Sequence, residues 1–586
     1  MPTITVLPMG KALTVERGTL LRDALQSSQI MLDYPCGGRA SCRQCRVTVD
    51  PKPSEGSFEL ACQLRISNDC TITIPESRSA RQVWKRGMRD TDLDAAVTSC
   101  SVRRIEVSLP EPGLEDQRAD WERLASGLAE HGIAPGTPVP GSLERLSRTL
   151  RQSGWTIDAV CEEADLVALD SRDGGRCFGF AVDLGTTTVD LALLDLESGQ
   201  RLARRAYLNG QVSFGADVIS RAQSFHEDRA PVREAALRTI DEGARALLKE
   251  TGVKPARVMK TVVVGNPIMI HILNGIDPYQ LTHVPYVPLI AGSVRSAPGD
   301  FGWTFQENGY VETLPLVSAY VGADTIGMIV ALGLEQEPAT SLAIDIGTNG
   351  EMVLARHGKL LATSTAAGPA FEGAQISCGM RAIDGAVYGM AIDGDGALSL
   401  RVVGDGTPRG ICGTGLIAGI AELLKYGIVD ETGRIVDPSE AGMVRLRERV
   451  FSLGAEPAFA LSDDRSVYIS QNDVRKLQLA KGAVRTGIET LLETSGVEAE
   501  GLDWLRLAGN FGAGLDAGAA MRIGLIPPMD LDRVQVVGNA ALRGAVMVLL
   551  SRDSWKKAQS AARATRFVEL GGKPEFQARF MDSMMF

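Results

Sequence analysis

Four cysteines in one short stretch carry the most specific chemistry in the chain. Cys36-x5-Cys42-x2-Cys45 is followed by Cys62. Four thiolates in this pattern, three close together and one distant, can ligate a [2Fe–2S] cluster. Gly37 and Gly38 let the loop wrap closely and aim backbone N–H groups at sulfur. Zinc is the competing metal. A zinc ribbon would need a second C-x2-C pair, whereas Cys62 and Cys70 are eight residues apart. Cys70 falls on the apolar face of Cys70-Thr71-Ile72-Thr73-Ile74 and reads as core. Four merely buried cysteines would not be so densely spaced and glycine-flanked.

A second chemistry is written twice. Phe178-Gly179-Phe180-Ala181-Val182-Asp183-Leu184-Gly185-Thr186-Thr187 is an apolar strand ending in Asp-x-Gly-Thr. Leu342-Ala343-Ile344-Asp345-Ile346-Gly347-Thr348-Asn349-Gly350-Glu351 is another, and the two aspartates are 162 residues apart. Each leads into a strand, a Gly turn (Ser198-Gly199, His357-Gly358) and a further strand. The glycine permits close backbone approach, hydroxyls and N–H groups bind phosphate oxygens, and the aspartate holds Mg²⁺ directly or through water. Alone, each could be an ordinary strand and turn. Their repetition at domain-sized spacing predicts duplicated halves facing one cleft.

Three further stretches fit that cleft. In Leu505-Arg506-Leu507-Ala508-Gly509-Asn510-Phe511-Gly512, a strand, a glycine turn and a helix start offer backbone to an adenine face, or serve only as a turn. Gly410-Ile411-Cys412-Gly413-Thr414-Gly415 precedes an apolar helix and either binds phosphate or packs that helix. Asp324 is an acid facing the metal or an N-cap.

The elements that must position these residues follow from hydrophobic period. Thr3–Leu7, Lys11–Val15, Arg46–Val49 and Cys70–Ile74 alternate as strands, and Leu20, Leu21, Ala24 and Leu25 are spaced as a helix. The order predicts a β-grasp unit over 1–78. Residues 79–101, basic at first, predict a linker. A small α+β middle domain is expected over 102–175, with strands at Arg104–Leu109, Trp155–Val160 and Asp165–Asp170. Its helices carry Trp121, Leu124 and Leu128, and, started by Ser142, Leu143, Leu146 and Leu150. The duplicated α/β part covers 176–586, in halves of roughly 176–340 and 341–586.

Length and composition set the outer limits. The chain has 586 residues, 44% hydrophobic and 23% charged. That is too long for one ordinary domain and globular in character. A net charge of −11 argues against non-specific nucleic-acid binding. No apolar run approaches the ~20 residues of a spanning helix. Met1–Val6 lacks a signal pattern, so a cytoplasmic protein without membrane attachment is expected. There, ten cysteines are no disulfide framework.

The words Cys36-Gly37-Gly38, Cys42-Arg43-Gln44-Cys45-Arg46-Val47 and Ala61-Cys62-Gln63 resemble a [2Fe–2S] ferredoxin. Two departures stand out. Only sixteen residues separate Cys45 from Cys62, and Ala40 sits where glycine is often found. The repeated loops resemble the actin/Hsp70/sugar-kinase ATPase superfamily. That resemblance implies that the Asp183 loop (Gly185, Thr186, Thr187) is the first phosphate loop and the Asp345 loop (Gly347, Thr348, Asn349, Gly350) the second. Asp324 falls on the first connecting helix, and Gly509 to Gly512 at the adenosine loop. Asn349 replaces the glycine of chaperone-type loops, so chaperone kinetics do not carry over.

The order of units resembles the reductive activators of corrinoid-dependent enzymes. Supporting words include Leu109-Pro110-Glu111-Pro112, Val264-Gly265-Asn266-Pro267-Ile268-Met269, Gly275-Ile276-Asp277-Pro278 and Ile376-Ser377-Cys378-Gly379-Met380-Arg381-Ala382. The resemblance implies an ATP hydrolase coupled to electron transfer. It would reduce Co(II) to Co(I) in a corrinoid-binding methyltransferase or corrinoid protein. It also implies an external donor, a flavoprotein or ferredoxin reductase, and a homodimer. The alternative is a redox-sensing metabolite kinase of the same superfamily, which would need a catalytic base in a sugar-sized cleft.

Overall fold

A computed structural model describes residues 1–7, 9–28, 30, 32, 40, 45–50, 59–74, 100–134, 140–163, 165–170, 175–215, 217–373, 375–512, 514–571 and 574–586. Cys36, Gly37, Gly38, Cys42 and nearly all of the 79–101 linker lie outside the described residues.

The first unit is a mixed five-stranded sheet, ordered Lys11–Thr14, Thr3–Leu7, Cys70–Thr73, Arg46–Asp50, Glu59–Leu60. Thr3–Leu7 pairs antiparallel with Lys11–Thr14 and parallel with Cys70–Thr73. Alternation puts Ile4, Val6, Val47, Val49 and Ile72 on one face, because strand side chains have period two. The helix Leu21–Ser27 covers that face with Leu21, Ala24 and Leu25. This is the expected β-grasp arrangement. The short strand Glu59–Leu60 has too few residues to show a period.

The second unit is a three-stranded sheet of Val102–Ser108, Thr156–Glu162 and Asp165–Asp170, with the helices Asp120–Glu130 and Pro140–Gln152. Leu124, Leu128, Leu146 and Leu150 pack with Val107 and Ile157. Burying a side chain of this size contributes about 1.5–3 kcal/mol. The second helix opens at Pro140, not at Ser142. Proline suits a first helical turn, where its missing N–H costs no bond.

The remaining chain forms two six-stranded sheets that share a five-stranded topology and differ in the edge to which the sixth strand is added. In the first the order is Arg201–Leu208, Thr188–Asp195, Phe178–Leu184, Val258–Gly265, Tyr310–Thr313, Val294–Ser296. In the second it is Val534–Gly538, Trp504–Ala508, Ser341–Ile346, Gly350–Arg356, Lys359–Thr365, Thr565–Phe567. Each sheet centres on the strand that ends in Asp-x-Gly-Thr. On one side runs an antiparallel hairpin, on the other two parallel strands. The duplication expected from two short motifs is thus one of whole sheets, the actin/Hsp70-like α/β arrangement. Two helices, Ala323–Leu332 and Ala540–Leu550, pack against each other between the halves. The second comes late in the chain, yet it packs on the first half's core beside Phe180 and Val262. Among the described residues no helix is long and apolar enough to cross a membrane.

Candidate functional site

Strand pairing brings the described cysteines together. Arg46 lies opposite Leu60, and Ala61 N donates to Cys45 O at 2.8 Å. The hairpin therefore sets Cys45 and Cys62 side by side in the interior, 1% and 2% exposed, although sixteen residues separate them in sequence. Gln63 Nε2 donates to Cys62 Sγ at 4.0 Å. Ala40 has φ 62°, the left-handed conformation that glycine adopts without strain, which accounts for the glycine expected there. Cys70 begins its strand, half-buried against the same core, and burial pushes its thiol up. Two adjacent buried thiols fit two corners of a four-thiolate cluster, and Cys70 is engaged in packing.

The second site is a cavity of about 620 Å³ between the two large sheets. That lies within the ~300–1,000 Å³ usual for small-molecule sites. Both Asp-x-Gly-Thr turns face it, and each is closed by its glycine N–H, the first over three residues and the second over two. Gly185 N donates to Thr188 O at 3.0 Å, and Gly347 N to Asn349 O at 2.9 Å. Gly185, Thr186, Thr187, Gly347, Thr348, Asn349, Asp324 and Gly413 all line it. Asn209 and Asn266 brace the first turn. Asn209 Nδ2 donates to Gly185 O at 2.8 Å, and Asn266 Nδ2 to Thr186 Oγ1 at 3.2 Å. Across the cleft Glu372 joins the turns. Thr187 Oγ1 donates to Glu372 Oε2 at 2.5 Å, and Thr348 Oγ1 donates to Glu372 Oε1.

The floor is acidic. Hairpin register places an acid opposite each loop aspartate, Asp190 opposite Asp183 and Glu351 opposite Asp345. Asp190 pairs with Arg204, and Asn539 Nδ2 donates to Asp183 Oδ2 at 2.8 Å. Among the described residues, Asp324, Asp345 and Glu351 have no such cation. Burial pushes Asp324 up to about 6. Burial, then the Asp324 charge, pushes Asp345 up to about 7. Asp183 and Glu351 are raised well above the usual carboxylate range, first by burial and then by the surrounding acids. Such a cluster is relieved by a cation. Among the described residues no three His, Cys, Asp or Glu side chains converge as ligands of one metal ion. Mg²⁺ is a candidate for this floor, because it keeps several waters and takes one or two carboxylates plus phosphate oxygens.

The structure separates roles that the residue order left open. The N-cap of the helix Ala323–Leu332 is Gly322, so Asp324 is a first-turn acid on the cleft and not the cap. Gly413 packs its helix and also borders the cleft. It opens the helix Gly413–Lys425 against the Phe371 carbonyl, where a Cβ would collide, and it lines the cleft with Thr414. Gly509 has φ 81°, and a Cβ there would run into Asp345 Oδ1. It lines the cleft, and Asn510 follows it in the short helix Gly509–Gly512. Gly512 packs against Leu507, and Gly350 against Thr365 and Val484. Asp190, Glu351, Glu372, Asn266 and Asn539 were not singled out from sequence. Aligning the two hairpins would have exposed the first two, seven and six residues after their aspartates.

Comparison with known proteins covers almost the whole chain. Residues 4–67 match the 2Fe-2S iron-sulfur cluster binding domain. Residues 92–174 match the RACo linker region and 178–337 the RACo middle region. Residues 339–586 match the C-terminal domain of RACo, the ASKHA domain. The corrinoid activation enzyme RamQ of Eubacterium limosum is 29% identical over 591 residues, 98% of this chain and 97% of its own length. The [Co(II) methylated amine-specific corrinoid protein] reductase of Methanosarcina barkeri is 27% identical over 408 residues, 64% of this chain and 70% of that protein. A solved reductive activator for corrinoid, iron-sulfur protein is 30% identical, with a TM-score of 0.73 over 100% of this chain and 98% of its own.

Proposed function

We infer the function from one premise: the chain belongs to the family of reductive activators of corrinoid proteins. Its client is a corrinoid-binding methyltransferase or corrinoid protein whose cobalt has been oxidised to inactive Co(II). The chain returns it to Co(I) by one electron at the expense of ATP. Cys36, Cys42, Cys45 and Cys62 hold a [2Fe–2S] cluster, which when bound supplies that electron. A flavoprotein or ferredoxin reductase re-reduces it, and the working form is a homodimer in the cytoplasm.

ATP binds between the two Asp-x-Gly-Thr turns. Thr186, Thr187 and Thr348 donate to its phosphates, and Gly509 with Asn510 borders the nucleoside. Asp183, Asp324 and Asp345 would hold Mg²⁺, which would neutralise phosphate charge, and would position the attacking water for hydrolysis. ATP is needed because a plant-type cluster lies near −400 mV, and Co(II) in a corrinoid protein is harder to reduce. Each ~59 mV uphill costs ~1.4 kcal/mol for one electron. Moving a two-state client from 1:99 to 99:1 takes ~5.5 kcal/mol of differential binding, within reach of a nucleotide-driven closure.

One observation carries this reading. A buried pair of cluster-type thiols and a nucleotide-sized acidic cleft occur in the same chain. The test is Co(II)-to-Co(I) conversion of a corrinoid protein, followed by absorbance with a low-potential reductant. Conversion should require both this chain and ATP. If ATP turnover instead rises only with a small hydroxyl substrate, the chain is a metabolite kinase.

A further inference from the structure

Glu372 ends the short turn Pro369–Glu372 in the second half, and its carboxylate reaches across the cleft. Each oxygen takes one hydroxyl, Oε2 that of Thr187 and Oε1 that of Thr348. These hydroxyls come from turns 161 residues apart and lie 3.4 Å from each other. An anion with two oxygens between two donors, one from each half, has the form of a phosphate group between phosphate loops.

A second residue, in the first half, carries an unused donor. Arg221, on the helix Val218–Glu227 of the first half, is fully buried. Its Nε donates to Gly215 O at 2.9 Å, and Nη1 meets Met269 Sδ at 3.5 Å. Among the described residues its Nη2 has no hydrogen-bond partner. Burial lowers this guanidinium to about 10, against the charge of Asp217 and, after it, that of Glu372. A buried guanidinium with an idle nitrogen is costly unless an anion reaches it in another state.

We propose that Glu372 is a phosphate surrogate, clasping the two loops together until the terminal phosphate of a nucleoside triphosphate displaces it toward Arg221. The proposal rests on the reading of the cleft as an ATP site. Glu372 is then a positioning residue that reports whether the terminal phosphate is present, and wild-type affinity is lowered by the competition.

Calorimetry on the full chain tests this with three probes: adenosine, MgADP and a non-hydrolysable Mg-triphosphate analogue. Glu372→Gln keeps the shape and removes the charge. It should bind the triphosphate on the order of tenfold tighter, the worth of one charge-assisted hydrogen bond, with adenosine affinity unchanged. Arg221→Lys, which keeps charge but not the fork, should weaken triphosphate binding and leave adenosine unaffected. If the wild type binds all three probes and Glu372→Gln binds the triphosphate no tighter, the clasp is refuted while the ATP site stands. Unchanged affinities with a collapse of kcat would assign Glu372 to water activation and also refute it. A wild type that binds none of the probes refutes both.

Discussion

Replacing Asp345 by Asn should stabilise the nucleotide-free protein while abolishing its ATP turnover, and the stabilisation should depend on pH. Asp345 is pushed up to about 7 in the folded chain by burial and by Asp324, against ~3.9 for a free aspartate. At ~1.4 kcal/mol per pH unit the difference is roughly 4 kcal/mol. Water in the open cleft screens part of it, so about half, ~2 kcal/mol, is expected. The sign follows from linkage. The folded state holds the proton more tightly than the unfolded one. Ionising Asp345 therefore costs stability progressively as pH rises from ~4 through about 7, and the cost is complete near pH 8. Asparagine cannot ionise. At pH 8 the variant should melt about 4–8 °C higher, taking ~2–4 °C per kcal/mol for a half-sized domain, and near pH 4.5 the gap should close. Mg²⁺ with ATP should raise the wild-type midpoint more than the variant's, because the variant has lost a carboxylate that the cation neutralises. The assays are thermal melts across pH, with and without MgATP, and phosphate release. A gap of equal size at both pH values would refute the electrostatic argument. Wild-type-like turnover would remove Asp345 from the nucleotide site.

Cys62→Ser should disturb or abolish the visible spectrum of the reconstituted cluster while Cys70→Ser leaves it intact. The reverse pattern would overturn the ligand assignment. A fragment beginning at Val102 should fold, bind ATP and bind the corrinoid client, yet fail to deliver an electron; ATP-dependent reduction at the full-length rate would show that the cluster is not the immediate donor. Lys260→Met should cost about 3–5 kcal/mol in denaturant unfolding, since it strands Glu162, whose Oε1 lies 2.7 Å from Lys260 Nζ in the interior. The double change Lys260→Met with Glu162→Leu should recover much of that loss, and a single variant as stable as the wild type would contradict the pairing.

The parts of this molecule legible in its sequence are those that local pattern determines. Asp183 and Asp345 sit at the ends of apolar strands, and their turns need only four or five consecutive residues. Four of the first unit's five strands followed from period-two alternation, and Glu59–Leu60 did not. Residues supplied by pairing across distance were not legible. Asp190 and Glu351 matter because hairpin register turns them toward the loop aspartates. Asn539 reaches Asp183 from 356 residues away, because the helix it caps crosses to the other half's sheet. Glu372 follows Thr348 by 24 positions and is placed by a 3-10 turn that carries no periodic signal. The close approach of Cys45 and Cys62 depends on a two-residue strand. In each case the missing information is tertiary.

One helix links the cleft to the small three-stranded unit. Ala540–Leu550 begins at Asn539, which donates to Asp183 on the cleft floor. Its eleven residues span ~16 Å. Midway, a Cβ at Gly544 would collide with the Gly327 carbonyl, so the two central helices touch backbone to backbone there. Near its far end Val548 O accepts from Lys260 Nζ at 3.2 Å, and the same ammonium holds Glu162 of the strand Thr156–Glu162. Tyr310 OH takes the other Glu162 oxygen at 2.8 Å. At its last residue Leu550 O accepts from Ser101 N at 2.8 Å, and Ser101 Oγ accepts from Arg552 N at 2.7 Å. The helix is thus bonded at one end to the aspartate of the first loop, and at the other to the residue where the chain enters the second unit. A fragment beginning at Val102 keeps the Lys260–Glu162 anchor and loses the Ser101 bonds together with the packing of Cys100. The small unit should therefore remain seated on the first half, and a loss of reduction in that fragment would report the missing cluster and not a displaced domain.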